Sequence, residues 1–334
     1  MPFLVPIAAF LAAAALCALL LPSFRRAFLV IPAARSSHAK ATPQGGGLVV
    51  IPVALVVAFA ASFAAARARP DAFAWSLTAA LMGLTLLGAW DDLRSLSQGF
   101  RLVVQAGAAG LALAAAPLDL AGPLADVPPV LVSACLLIAI LWFVNLTNFM
   151  DGLDWMSVVQ FVPAFATVAW LLAAPANPEP WLGALCLAAA GALAGFAVLN
   201  KPPARLLLGD SGSLPLGLLG AIAMLIVAGS RGAVVAVLPF LYYFADATLT
   251  LARRVLAGKK FWQAHREHFY QQATVRGLST WQVIARVGAC NGLLCALALL
   301  IAGRPAAAQL AALAFGAAIV ALLMRSLVRE RGVT

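Results

Sequence analysis

Long apolar runs separated by short polar stretches account for almost the whole chain. They fall at about 3–22, 47–66, 72–90, 102–116, 128–146, 157–175, 181–199, 212–229, 232–250, 283–302 and 306–324. Most approach the ~20 residues a helix needs to cross a bilayer, and the fourth is the short one. Backbone groups in lipid must be satisfied within their own segment, so runs of this kind read as helices. A barrel would show shorter segments of alternating polarity, and the alanine- and leucine-rich runs do not alternate. The predicted fold is therefore all-α, a polytopic integral membrane protein of about eleven transmembrane helices. Pro239, inside the ninth run, predicts a kink there.

Composition agrees. Hydrophobic residues make up 64% of the chain and charged residues 10%, against roughly 25% charged in a soluble protein. The net charge of +10 would suggest nucleic acid in a soluble chain. Here it reflects topology and anionic headgroups, and no nucleic-acid partner is expected. With the N-terminus outside, the outer loops keep only Arg67, Arg69, Arg231 and Arg304 of the 22 lysines and arginines. That bias predicts an outer N-terminus and an inner C-terminus. The first run has no basic residue ahead of it and Arg25 and Arg26 behind it, the pattern of a retained span rather than a cleaved leader. The five cysteines all lie inside apolar runs without a C-x-x-C, and read as small membrane-core residues. No soluble domain, linker or internal repeat is visible. One transmembrane domain over 1–334 is expected, with its polar loops at about 23–46, 91–101, 145–156, 200–213 and 251–282 on the inner side.

The chain has 12 Asp and Glu. Asp91, Asp92, Asp151, Asp154, Asp210 and Asp246 each lie within a few residues of the inner end of an apolar run. An ionised carboxylate near hydrocarbon costs roughly 2.5–3.5 kcal/mol even on insertion scales. Converging several suggests a bound divalent cation and, through it, phosphate.

Each motif has a structural alternative. Asp91-Asp92 could be a helix end neutralised by Arg94, but adjacent carboxylates also want a cation or a proton. Asn145, Asn148, Asp151 and Asp154 recur at i, i+3, so a continuing helix would line four oxygen-bearing groups on one face. Such donors suit Mg²⁺ or Mn²⁺. The alternative is a polar seam between helices, and Gly152 suggests a turn or a close approach of ligand to backbone. In Gly209-Asp210-Ser211-Gly212-Ser213, Asp210 either caps the eighth span or ligates metal, with the Gly and Ser amides turned to phosphate. Thr42-Pro43-Gln44-Gly45-Gly46-Gly47 is an anion cradle or a linker. His265-Arg266-Glu267-His268, in a loop with Arg253, Arg254, Lys259 and Lys260, is a diphosphate clamp or a basic loop on headgroups. Asp246 reads as an ion partner of Arg253 or Arg254.

Taken in order, these stretches resemble the polyprenyl-phosphate N-acetylhexosamine-1-phosphate transferases (glycosyltransferase family 4). The matching segments are Arg35 to His38 with Thr42 to Gly47, Trp90 to Leu93, Asn145 to Asp154, Pro202 to Ser213 and His265 to Gln271. The His-Arg-x-His string is similar to that of the O-antigen-initiating branch. Gln44 and Trp155 depart from that branch, which usually has Arg and Gly there.

The resemblance implies transfer of a sugar-1-phosphate from a UDP-N-acetylhexosamine to undecaprenyl phosphate, releasing UMP and starting a cell-surface glycan. It implies a cytoplasmic-facing site in a bacterial inner membrane. It also implies Mg²⁺, with Mn²⁺ as a substitute, held mainly by Asp210 and by Asp154, with Asn148 or Asp151 as alternatives to Asp154 in completing the shell or positioning the nucleotide. Asp91, Asp92, Asp151 and Asp154 would be catalytic, Asp91 accepting a proton from the lipid phosphate or orienting it. Lys40, Asn145, Asn148, Arg205, His265, Arg266 and His268 would bind substrate. The resemblance admits a homodimer. Two other classes compete: an intramembrane prenyltransferase using Mg-diphosphate, and a secondary transporter, which would instead place its charges near the midplane of repeated halves.

Overall fold

The computed structural model describes residues 3–30, 41–64, 70–118, 126–173, 179–260 and 265–329. Thirteen helices are found among them: α1 (Leu4–Ala27), α2 (Gly47–Ala64), α3 (Ala72–Leu93), α4 (Gln98–Ala115), α5 (Pro129–Met150), α6 (Met156–Leu171), α7 (Pro180–Asn200), α8 (Asp210–Arg231), α9 (Ala233–Val237), α10 (Leu241–Leu256), α11 (Phe269–Val275), α12 (Thr280–Ile301) and α13 (Ala306–Val328). Among the described residues, every apolar run is mainly helical. Nine spans among the described residues are long and apolar enough to cross a membrane, with 233–256 counted as one. Nine of the about eleven expected spans thus meet that measure, and the fourth and sixth runs form lesser helices. Of those two, α6 is short at 16 residues, and α4 carries Arg101 within its 18 residues. The ninth run breaks where Pro239 was expected to act: a 3-10 turn over Leu238–Phe240 separates α9 from α10. Proline cannot donate to the helical ladder, and the turn leaves the Pro239 carbonyl to accept from Gln160 Nε2 at 2.8 Å.

The bundle is layered about α8. Helices α7 and α8 bury most of their length, whereas α1 and α13 expose most of theirs. Leu4, Ile7 and Leu11 on α1 and Phe315 and Leu322 on α13 point outward, as lipid-facing residues do. α8 packs against α3, α5, α2 and α6, and α7 against α1, α2 and α6.

Lipid is as apolar as leucine, so helices associate through close packing rather than hydrophobic exclusion. Small residues mark those contacts. On α7, a Cβ on Gly191 would lie 2.3 Å from the Pro6 carbonyl oxygen, and one on Gly195 2.3 Å from that of Phe10. This Gly-x-x-x-Gly pair seats α1. At the inner end, a Cβ on Gly47 would lie 2.1 Å from the Gly212 nitrogen, and one on Gly88 2.2 Å from the Asp210 carbonyl carbon. Helices α2 and α3 therefore meet α8 backbone to backbone, and the end of α3 lies against the start of α8.

A short antiparallel pair, β1 (Leu29–Val30) and β2 (Thr42–Pro43), braces this end. Pro43 O accepts the Leu207 amide at 2.8 Å, and the Gly46 and Gly47 amides donate to Leu207 and Leu208 carbonyls at 3.0 Å each. The glycines of 45–47 are thus a packing and pairing element. Two of the amides that would cradle an anion are already used.

The Gly88 contact yields a test. Gly88→Ala forces α3 from α8, an overpacking cost of about 1–3 kcal/mol, and is expected to lower the thermal midpoint of the detergent-solubilised protein. Gly83→Ala, on the same helix with open space around it, should leave the midpoint unchanged. Equal midpoints for both would contradict the backbone contact.

Candidate active site

Asp91 and Asp92 end α3 and face different partners. Asp92 reaches across to α8, where its carboxylate accepts the Asp210 amide at 3.1 Å and the Ser211 amide at 3.3 Å. Those amides are orphan donors of the first helical turn, and a carboxylate there is favoured by the helix dipole. Gly209, at φ +75°, leaves room for it, since a Cβ would lie 2.5 Å from Asp92 Oδ2. The Asp210 and Ser211 amides are therefore capped by Asp92, those of Gly212 and Ser213 go to the Gly209 carbonyl at 3.0 Å each, and none of the four is presented to phosphate, which corrects one expectation. Asp91 Oδ1 accepts the Leu96 amide at 2.7 Å, and its Oδ2 pairs with Arg101 at 2.6 Å.

Arg101 is the residue that sequence reasoning missed. It served only as an inner-loop charge, yet its second guanidinium nitrogen lies 2.9 Å from Asp210 Oδ2. The neutralising partner is thus Arg101 rather than the adjacent Arg94. Asp210 Oδ1 accepts from Asn148 Nδ2 at 2.7 Å, and the same amide reaches Ser213 Oγ at 2.9 Å.

The Asn145–Asp154 segment departs from a continuous helix. α5 stops at Met150, and Asp151 leaves helical geometry at φ −84°, ψ 46°. The four polar side chains therefore do not share one face. Asn145 binds Gln105 Oε1 and the Leu141 carbonyl, at 2.8 Å each, and so ties α5 to α4. Asn148 faces Asp210. Asp151 accepts from Ser157 Oγ at 2.6 Å. Asp154, 7% exposed, accepts the Ala204 amide at 2.9 Å and so organises the loop that leads into α8.

Trp155 explains why glycine is the usual residue at its position. It alone among described non-glycine residues has positive φ, at 63°, which costs roughly 1–2 kcal/mol for a residue with a Cβ. Its amide donates to Asn200 Oδ1 at 2.8 Å and its indole N–H to the Ala197 carbonyl at 2.7 Å. Its ring meets Trp281 edge-on at 5.2 Å. Asn200 also donates to the Leu206 carbonyl at 2.9 Å, joining this turn to the 201–208 loop.

Asp246 is the anchor of the histidine loop, not an ion partner of Arg253 or Arg254. Fully buried, it accepts from Tyr242 Oη, His268 Nδ1 and the amides of Phe269 and Tyr270 at 3.0–3.3 Å. Arg254 instead pairs with Glu267, as does Lys259, and Arg253 stacks on Phe269 at 4.3 Å. These pairings consume cations that a clamp would have offered. His265 stacks on His268, and His268 on Tyr270. The Tyr270 hydroxyl donates to the Phe149 carbonyl at 3.0 Å, and a Cβ on Gly152 would lie 2.3 Å from that hydroxyl. What approaches the Gly152 backbone is thus the Tyr270 side chain rather than a ligand, and it docks the loop on the Asp151 turn. Burial, with His268 and Arg254 adding, pushes the His265 imidazole down to about 4. The ring is therefore neutral at pH 7. Its Nδ1 accepts the Glu267 amide at 3.3 Å, which leaves the proton on Nε2 as a donor.

A polar cavity of about 110 Å³ lies among these elements, lined by Gln44, Asn148, Asp151, Asn200, Gly209 and Asp210 with three leucines. Burial, with the carboxylates of Asp210, Asp92 and Asp154 adding, pushes the Asp151 carboxyl up to about 8 against the Ser157 hydrogen bond. A cation in the cavity would reverse that. The donors are hard oxygens, which fit Mg²⁺ or Mn²⁺ by chemistry, although no cluster of three or more acid, His or Cys groups is preassembled among the described residues. Asp154 is not among the residues lining the cavity, which Asp151 does line. Arg205 is exposed and Arg266 half-buried on the histidine loop. Lys40, Arg35 and His38 lie outside the described residues.

Comparisons with known proteins bear on this arrangement. The model of glycosyl transferase family 4 matches residues 74–228. A phospho-N-acetylmuramoyl-pentapeptide-transferase of Lactobacillus delbrueckii is 30% identical over 72% of this chain and 79% of its own length. Enzymes of the same name from Prochlorococcus marinus and a Synechococcus species are 30% and 33% identical over 53% and 55% of this chain. In those two the match spans about half of the relative, 51% and 54%.

The left-handed turn can be tested without an activity assay. Trp155→Ala keeps the strained φ and loses both hydrogen-bonded ring and packing, a loss of about 2–3 kcal/mol. Trp155→Gly loses the same contacts but relieves strain of about 1 kcal/mol. Thermal midpoints should rank wild type, then Gly, then Ala. An Ala variant as stable as the Gly variant would contradict the account.

Proposed function

The chain belongs to glycosyl transferase family 4, the polyprenyl-phosphate sugar-phosphate transferases, and from that premise we propose its reaction. N-acetylhexosamine-1-phosphate passes from a UDP-N-acetylhexosamine to undecaprenyl phosphate. An oxygen of the lipid phosphate bonds to the β-phosphorus, the bond from that phosphorus to the bridging oxygen breaks, and UMP leaves with the bridging oxygen. The observation that carries the proposal is the meeting of Asn148, Asp151 and Asp210 around one polar cavity at the ends of spans, with Asp92 bonded to the Asp210 amide and Asp91 joined to Asp210 through Arg101.

Asp210, Asp151 and Asn148 would hold a Mg²⁺ ion. When bound, it neutralises charge on the diphosphate and on the departing UMP. Asp92 positions Asp210 by capping its helix, and Asp154 positions the loop that precedes it. Both act through other groups rather than on substrate. Asn145 likewise joins α4 to α5. His265 offers a neutral N–H, and Arg266 a charge, to the sugar-bearing phosphate, while His268 is held by Asp246 to support His265. Lys40 and Arg205 would draw in the anionic substrates.

Direct attack is the favoured route. The lipid phosphate is already an anionic nucleophile, so positioning and charge stabilisation suffice. Asp91 supports this, since both of its oxygens are engaged, by Leu96 and by Arg101. The His265-to-His268 string favours a donor of the O-antigen type. The names of the relatives favour instead a donor carrying N-acetylmuramoyl-pentapeptide. The charge bias of the loops supports a site on the cytoplasmic side of a bacterial inner membrane.

Purified protein with undecaprenyl phosphate, Mg²⁺ and a panel containing both donor types is expected to release UMP with one of them. Release should require lipid and metal, and Asp210→Asn should lower it by about 10²-fold or more. Inorganic pyrophosphate released from an added prenyl diphosphate, with no UMP from any donor, would point to a prenyltransferase. UMP formed equally well without lipid would contradict the proposal.

A further inference from the structure

Arg101 occupies an unusual place for a loop cation. Its two terminal nitrogens are divided between carboxylates of different helices, Asp91 Oδ2 at 2.6 Å on α3 and Asp210 Oδ2 at 2.9 Å on α8. The guanidinium is 22% exposed, and the two carboxylates are 11% and 23% exposed. Among the described residues no other cation pairs with Asp91, Asp92 or Asp210.

The position of Arg101 is built. Ser97 caps α4 by accepting the Phe100 amide at 3.3 Å, which starts the helix at Gln98, three residues before Arg101. Phe100 then meets Trp90 edge-on at 5.8 Å, pinning the first turn of α4 to the end of α3. The guanidinium is thereby aimed at the acids from a fixed base. Both oxygens of Asp210 are correspondingly engaged: Oδ1 takes the Asn148 amide and Oδ2 takes Arg101.

We propose that Arg101 is the built-in counter-cation of the metal-free site, and that a divalent cation binds by displacing it from Asp210. The inference rests on the reading that the site takes a divalent cation. Two carboxylates from separate helices, in a poorly solvated setting, repel unless a positive charge lies between them. A guanidinium supplies that charge in a planar fork suited to two carboxylates. A divalent ion ligated by Asp210 competes for the same oxygen and is repelled by the same positive charge. Metal affinity is therefore lower than the acids alone would give. The metal-free protein in turn keeps α3 and α8 together.

Metal binding is read directly by titrating purified protein in detergent with Mn²⁺ and following free Mn²⁺ by electron paramagnetic resonance. Removing the competitor in Arg101→Met is expected to tighten Mn²⁺ binding by about fivefold or more, and Arg101→Gln should do the same if the Met variant is poorly folded. Arg101→Lys, which keeps the charge, should stay within about threefold of wild type. Unchanged or weaker binding in both neutral variants would overturn the proposal. So would a rise in Arg101→Lys as large as in Arg101→Met, because loosening of the helices rather than lost competition would then be responsible. Absence of Mn²⁺ binding in wild type and Asp210→Asn alike would remove the divalent-metal reading itself, and this inference with it.

Discussion

The hydrogen bonds from the first amides of α8 to the Asp92 carboxylate hold the site in place. They cross from the last turn of one span to the first turn of another, 118 residues later. A carboxylate at a helix N-terminus is worth up to about 2 kcal/mol in partly buried settings. Here it also sets geometry, because the capped amide belongs to Asp210. The cap requires α3 and α8 to touch through backbone, which Gly88 permits. It also requires room at Gly209. Asp91 and Asp210 are then brought close enough to share one guanidinium.

Around that joint, polar groups near hydrocarbon are handled by pairing. Asp92 spends its charge on backbone amides, Asp91 and Asp210 on Arg101, and Asp246 on the histidine loop. Asp151 lines the cavity with burial and three neighbouring carboxylates acting on it. That is where a cation has most to gain. The histidine loop meets the same turn through Tyr270 and Phe149, so the acid cluster and the neutral His265 donor are parts of one connected assembly.

Much of this was legible in the sequence. Apolar runs of span length became helices because lipid leaves the backbone no other choice, and the proline of the ninth run broke it. The acids at span ends were likewise legible, since their cost marks them. What could not be read were the long-range partners. Arg101 looked like any inner-loop arginine, and Asp246 like a partner for the basic residues just after it. The i, i+3 spacing from Asn145 to Asp154 suggested one face, but spacing does not reveal where a helix stops, and this one stops at Met150. The three glycines of 45–47 looked like a cradle or a linker because close backbone contact with a distant helix leaves no local trace. Trp155 registered as a departure from a family pattern, and its left-handed backbone gives that departure a physical meaning.

The central claim is that sugar and phosphate move together onto the lipid phosphate. It is tested most directly by following the β-phosphorus. A UDP-N-acetylhexosamine labelled with ³²P at the β position, incubated with the protein, undecaprenyl phosphate and Mg²⁺, should deliver its label to the organic phase as a lipid diphosphate sugar, with unlabelled UMP in the aqueous phase. Label left in the aqueous phase as UDP, with the sugar alone on the lipid, would contradict the account.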